Sequence, residues 1–370
     1  MTSDNANDLE ELRAMTRRFC QEKSSSEAVR HLTESGATRD DAVWSQLAQQ
    51  LGLTGLAIAE EHGGAGGGPV ELGVVLEEMG RTLMVSPFFA TVALAGQALS
   101  SCDDAAAQAA WLPRIADGSI TATLAVADAT GELDPAGVTT TATADGQGWT
   151  LSGTKRFVID GHTSDLLLVA ARDGDDVAVF AVEAGAAGLE RAFLPGLDTT
   201  RALATVTLAA TPAVRIAGEG AALIERARDL ALAAIAAEQV GGASKVFELT
   251  VAYLKEREQF GRPIGSFQAL KHRCADLAVE IESARSAATF AATLLAEHDA
   301  EGPVAAAAAK AWCGTTFTHA AKEAVQMHGG IGYTWEHDAH LYLKRAKSSE
   351  LLLGSPARQR ARVAELTGIC

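Results

Sequence analysis

The chain has 370 residues, 48% of them hydrophobic and 21% charged, a balance that specifies a folded globular protein and excludes general disorder. Lys and Arg total 31 against 47 Asp and Glu, a net charge of −16, which argues against the basic face a nucleic-acid partner would require. The length predicts two or three packed sub-domains, and an aromatic content of only 5% beside Ala-rich stretches favours closely packed helices over a β-sandwich.

The opening MTSDNANDLEELRAM has neither the basic start nor the apolar core of a signal peptide. Residues 1–118 read as helical, with Leu9, Leu12, Met15 and Phe19 at helical spacing and Val43, Leu47 and Leu51 repeating it. The Gly-rich EEHGGAGGGPVE (60–71) is not read as a dinucleotide loop, because Pro69 stands where the last glycine belongs; a flexible turn is expected. Between 119 and 217 come short Val-, Thr- and Leu-rich runs separated by Gly and Asp, the texture of a small β-domain. Helical signals return over 218–370, where Val240, Phe247, Val251 and Leu254 form one stripe and Leu270, Cys274, Leu277 and Ile281 another. The longest apolar run, DLALAAIAAEQVGGA, is interrupted by Glu238 and Gly241 and is too short to span a bilayer. Five dispersed cysteines without a CxxC pair read as reduced thiols, and a cytoplasmic address is expected.

Two clusters could carry chemistry. In KEREQFGRPIGSFQALKHRCADL (255–277), Arg257 precedes the helix-breaking Gly261-Arg262-Pro263, and a new helix begins near Ser266. A planar guanidinium at such a helix end suits a phosphate or pyrophosphate, with Phe260 as an apolar wall and Gln268 as donor and acceptor. The other reading is a helical hairpin whose Arg257 pairs with surface acids. In AVQMHGGIGYTWEHDAH (324–340), Gly329, Gly330 and Gly332 would let backbone approach a ligand closely, or would simply cap a helix and turn. His337 and His340 flank Asp338 at i, i+3; an interface or solvated helix face explains that spacing better than a metal site.

Together these stretches resemble the acyl-CoA dehydrogenase family over essentially the whole chain. The likeness rests on R-E-Q-F-G-R-P-I-x-x-F-Q and Q-M-H-G-G-I-G-Y, with WSQLAQQLGLTGLAIAEEHGG and LEEMGRTLMVSPF near the front and WTLSGTKRFVIDG in the middle. It implies an α+β fold with an N-terminal helical domain, a middle β-domain and a C-terminal four-helix bundle. It further implies FAD bound between the β-domain and the C-terminal helices, with a neighbouring subunit completing the site of a homo- or hetero-oligomer (dimer or tetramer). Arg257 matches the arginine on the FAD pyrophosphate, Phe260 and Gln268 match further flavin contacts, and Gln326 and Gly330 match the adenosine and pyrophosphate side. Phe157 takes the place of a tryptophan that covers the flavin ring. The implied reaction is α,β-dehydrogenation of an acyl-CoA to the trans-2-enoyl-CoA in lipid catabolism, with an electron-transfer flavoprotein as acceptor.

The chain departs from the family pattern at several places. The motif resembling T-E-P-x-A-G-S-D survives only in fragments within Ala127–Asp134, and Ile159 replaces a Thr or Ser beside the flavin. Leu353 stands where many relatives carry the catalytic Glu, and Ala231 where a second subgroup carries it. Glu238 lies two helical turns, about 10 Å, beyond Ala231 on the same face, between apolar flanks that would desolvate a general base. A buried Glu paired with an Arg or a helix terminus accounts equally well for it. Asp128 and Glu350 are weaker candidates. Two functions stay open: a catalytic subunit with a relocated base, or a non-catalytic subunit of a heteromeric enzyme.

Overall fold

The computed structural model describes residues 3–129, 131–146 and 148–369, so Thr130 of the eroded motif and Cys370 lie outside the described residues. Helices come first: α1 (Ser3–Lys23), α2 (Ser26–Ser35), α3 (Asp41–Gln49), α4 (Pro69–Arg81), α5 (Gln97–Ser100) and α6 (Ala105–Ala116). Strands follow as β1 (Ala122–Ala125), β2 (Thr141–Ala144), β3 (Trp149–Ile159), β4 (Leu166–Asp173), β5 (Asp176–Glu183), β6 (Leu189–Leu194) and β7 (Leu203–Ile216). Then come α7 (Gly220–Glu256), a two-residue hairpin β8 (Glu258–Gln259) and β9 (Arg262–Pro263), α8 (Gln268–Ala296), α9 (Gly302–His328), α10 (Ala339–Leu351) and α11 (Pro356–Thr367). The order helical, β, helical is the one expected. Two aspartates start helices by accepting first-turn N–H groups: Asp40 from Ala42 and Val43, and Asp104 from Ala106 and Ala107.

Compactness does not follow chain order. One body comprises residues 1–31, 69–84 and 232–370, the other 32–68 and 85–231. In the first, α4 and α7 meet at backbone distance. A Cβ on Gly80 would collide with the Glu238 carbonyl, and one on Gly241 with that of Glu77. Gly242 is filled by the Phe317 ring. These glycines therefore serve helix packing. Beyond them the core is Leu83, Val246, Leu254, Leu277, Ile281, Phe317 and Tyr342, with Phe247, Leu270 and Cys274 packed against it. The second predicted stripe lies wholly in this core, and the first enters it through Phe247 and Leu254.

Helix α7 runs 37 residues, and one 18-residue window within it reaches a mean hydropathy of 1.2, enough by length and composition to cross a membrane. Within the chain 83% of that window is buried, so its apolar surface is already satisfied by protein.

The second body is built round a seven-stranded sheet whose pairings close a circuit: β4 pairs β2, β2 pairs β3, β3 pairs β7, β7 pairs β5 and β5 returns to β4. Strand β1 adds parallel to β4, and β6 adds to β7. Leu151, Val158, Leu167, Val169, Phe180, Val182, Val206 and Leu208 fill the interior. The glycine run after Glu60 is a tight turn rather than a flexible one: Ala65, Gly66 and Gly67 donate to the carbonyls of Gly55, Ile58 and Leu56. Its N–H groups are consumed by the chain and are not offered to a phosphate.

Candidate functional site

The first cluster forms where α7 stops. Arg257 N–H still donates to Tyr253 O at 2.8 Å, and Arg257 O accepts from Ile264 N–H at 2.8 Å, which folds the hairpin back on the helix end. Phe260 and Gly261 have φ of +55° and +74°, positive at both central residues as a tight hairpin turn demands. For a phenylalanine that conformation costs about 1–2 kcal/mol. The ring is 90% exposed, meeting Phe267 edge-on at 6.0 Å, while the Arg262 guanidinium lies 4.1 Å over the Phe267 ring. Arg257 is exposed and its side chain has no partner among the described residues, so the surface pairing that would have explained it is absent.

The second cluster forms at the end of α9, where three glycines serve three different needs. Gly329 has φ +62° and ψ −138°, open in practice to glycine alone, and its N–H donates to Gln326 O. Gly332 is packed so that a Cβ would sit 2.7 Å from Val325 O. Gly330 is exposed, with nothing within 4 Å of where a Cβ would be. Nothing in the chain's packing requires that glycine.

Ring stacking joins the two clusters. Tyr253, one turn before Arg257, lies 4.5 Å from the His328 ring, and His337 covers His328 at 4.2 Å. His328 Nδ1–H donates to Ala324 O at 2.7 Å, and burial lowers the pKa of this ring and of His337, which keeps the stack uncharged at neutral pH. His340 instead meets Trp335 at 4.8 Å, so the two histidines of the HxxH spacing face different aromatic partners. Five of the residues assigned to FAD therefore lie at one end of the bundle: Arg257, Phe260, Gln268, Gln326 and Gly330, every one exposed. A free guanidinium fork, two amides and an open glycine are the donor set that a dinucleotide pyrophosphate and its sugars require. The residues fit the cofactor.

In the sheet body, Phe157 sits on a bulge of β3 with φ +56°, half-exposed, its ring against Gly131. The eroded motif beside it is anchored by Asp128. That carboxylate lies 2.7 Å from the wholly buried Lys155 and accepts from the backbone N–H and hydroxyl of Thr139 and of Thr140. Burial pushes Asp128 upward, but Lys155 and the threonine donors outweigh it and hold the carboxyl below its usual range. Lys155 itself is lowered to about 8, chiefly by burial. Asp128 is thus a loop anchor, and Ile159 is buried, with its carbonyl bound by Thr123 Oγ1 at 2.7 Å.

Ala231 and Leu353, the customary base positions, are buried and apolar. Leu353 holds φ +61°, and the backbone round it is fixed by three buried side chains. Gln359 Nε2 donates to Leu353 O at 2.7 Å, Gln239 Nε2 to Ser349 O at 2.9 Å and Lys310 Nζ to Glu350 O at 3.1 Å. The Glu350 carboxylate is paired with Lys347. Glu238 is buried in an ion pair with Arg345, 3.0 Å from Nη1 to Oε1. The paired-carboxylate reading of Glu238 is the arrangement present. Arg345 escaped the sequence reading, although Tyr342, Arg345 and Ser349 recur at helical spacing on the buried face of α10.

Family models for the acyl-CoA dehydrogenase N-terminal, middle and C-terminal domains match residues 6–119, 123–211 and 218–367. Acyl-CoA dehydrogenase IpdE2 of Mycolicibacterium smegmatis is 36% identical over 355 residues, 95% of this chain and 96% of that one. Among solved structures, a variant of the Tcur3481-Tcur3483 steroid ACAD is similar at TM-score 0.88 and 34% identity, covering 98% of both chains. The ChsE4-ChsE5 complex of Mycobacterium tuberculosis is similar at TM-score 0.90 and 28% identity, covering 98% and 97%.

Proposed function

This chain belongs to the acyl-CoA dehydrogenase family of FAD oxidoreductases, and from that premise we propose that it is the flavin-carrying subunit of a mixed oligomer whose partner supplies the carboxylate base. The assembly converts a bulky, steroid-derived acyl-CoA to its trans-2-enoyl-CoA, hands the electrons to an electron-transfer flavoprotein and works in the cytosol. One observation carries the reading. Both customary base positions are apolar and buried, at Ala231 and Leu353, while Glu238 is committed to Arg345. A thioester α-proton is weakly acidic and needs a carboxylate free to receive it. The names of the steroid ACAD and of the two-component ChsE4-ChsE5 complex support the substrate class and the mixed assembly.

Bound FAD supplies the hydride acceptor. Arg257 would grip its pyrophosphate, Gly330 would let backbone approach it, Gln268 and Gln326 would bond its polar edges, and Phe260 would supply apolar cover. What the chain contributes beyond this is orientation and exclusion of water.

A second reading keeps Glu238 as this chain's own base, favoured by its burial among Ala234, Ile235 and Ala237. Arg345 must then release it when substrate enters. The discriminating experiment purifies the chain alone and with its partner, and follows bleaching of the flavin by an acyl-CoA panel for wild type and Glu238→Gln. The expected result is a yellow complex that turns over with or without the substitution. A solitary chain that turns over, and stops on Glu238→Gln while remaining folded, would overturn the two-subunit reading.

A further inference from the structure

His328 is the last residue of α9, two places after Gln326 and two before Gly330. Tyr253 lies against its ring from α7, one turn before Arg257. His337 meets the same ring from the segment that enters α10. The glycine turn closes on this side chain as well, since a Cβ on Gly332 would come within 3.1 Å of His328 Cβ. The ring is therefore packed between the ends of two helices and the start of a third, and the residue is only 3% exposed.

Both histidines use their nitrogens in a way that only the uncharged form allows. His328 Nδ1–H donates to Ala324 O, and its Nε2 is buried with no partner among the described residues. A proton on Nε2 would create a sealed N–H with nothing to accept it. His337 Nδ1 accepts from the N–H of Ala339, the first residue of α10, so a proton on that nitrogen would remove an acceptor from the helix start. The other ionisable groups round the stack are Tyr253 from α7, Asp338 beside His337 and Arg30 from α2. Arg30 and the Ser26 hydroxyl both bond Asp338. His340 and Lys344 of α10 face Trp335 instead. Burial is the largest influence on both rings and lowers each pKa; it outweighs the Ala324 bond at His328 and the Asp338 charge at His337.

We propose that His328 is a positioning residue for FAD: its uncharged ring, held between Tyr253 and His337, keeps Arg257 and the turn from Gln326 to Gly330 on one cofactor, and its protonation releases that cofactor. This role rests on the assignment of FAD to these two stretches. Its sign follows from the hydrogen bonds. FAD binds the uncharged stack, release takes up a proton, and affinity falls as pH falls through the range in which histidine titrates. A histidinium acting directly on the pyrophosphate would give the opposite slope.

The test dilutes the FAD-loaded protein, in the assembly in which it purifies, into buffers from about pH 7.5 to about pH 5.5. Fluorescence reads released flavin and circular dichroism follows the fold. Wild type is expected to lose about tenfold in affinity over that interval with its helix signal unchanged. His328→Phe, which keeps an aromatic ring without a nitrogen to protonate, should lose less than about threefold. His328→Ala, lacking the ring, should bind FAD about tenfold more weakly at the upper pH. Should these variants not fold, Tyr253→Ala opens the stack from α7 and is expected to weaken binding by a similar factor and to flatten the slope. A flat wild-type profile, affinity that rises on acidification, flavin release that tracks loss of helix signal, or a slope preserved in His328→Phe would each overturn the proposal. Arg257→Leu is measured alongside. If it leaves FAD affinity intact, the cofactor assignment falls and the role of His328 with it; weakened binding there, beside a flat wild-type profile, removes the role of His328 alone.

Discussion

Glu238 Oε1 and Arg345 Nη1 stand 3.0 Å apart with side chains only 6% and 3% exposed, so α7 and α10 are joined by a charge pair sealed from water. Removing one partner of such a pair leaves an uncompensated buried charge, which costs far more than the pair contributes. Arg345→Met is therefore expected to destabilise the protein by about 3–5 kcal/mol. The double variant Arg345→Met/Glu238→Leu should recover most of that loss. Urea denaturation of the four members of the cycle measures both; additive single effects would show that the pair is not coupled.

Gly80 and Gly241 are the contact points of α4 and α7, each facing the other helix's backbone carbonyl. A side chain's far end can turn aside, but a carbonyl held in a helix cannot. Gly241→Ala should cost about 3 kcal/mol, at the upper end of overpacking effects. Thermal melts test this, with the exposed Gly330→Ala as the comparison that leaves stability nearly unchanged.

Among the described residues the Arg257 side chain has no partner to lose, so Arg257→Leu should leave stability within about 0.5 kcal/mol. Loss of a charge-assisted fork should nonetheless lower FAD affinity about ten- to a hundredfold, and Arg257→Lys, which keeps charge but not planarity, should fall between. Flavin absorbance during titration of the apoprotein reads the effect. Equal affinity in all three proteins would remove Arg257 from the cofactor site.

Lys310 is lowered to about 8 from an ordinary 10.5, first by burial, with Cys313 and Glu350 partly opposing. Between those two values the unfolded chain carries a proton that the folded chain lacks. Stability therefore rises with pH across that window, and the penalty is fully present below it. Lys155 acts in the same direction. Lys310→Met should raise the melting temperature at pH 7 and shrink the slope above pH 8; an unaltered slope would place the titration elsewhere.

Much of the candidate flavin site was readable in the residues because it is local. Arg257, Phe260 and Gly261 act through one helix end and one hairpin turn, and Gln326, Gly329 and Gly330 through another helix end. Spacing along the chain specifies such features directly. Glu238 was read as a carboxylate in an apolar stretch, which is also local and correct. Its partner lies 107 residues away, and no periodicity in α7 could name it. Gly241 and Gly242 are ambiguous in the sequence for the same reason: smallness marks a close approach without saying whether a ligand or the chain itself approaches.

The order of helical and β segments, the core stripe of α8 and the two candidate cofactor motifs were determined by the sequence itself, since propensity and periodicity are written in neighbouring residues. Folding alone decided that α1 and α4 share a body with the last helices, that Tyr253 stacks on His328 to bring two motifs to one end, and that every candidate base already holds a cation. Those are pairings across long stretches of chain. They depend on which surfaces exclude water together, a property of the packed whole.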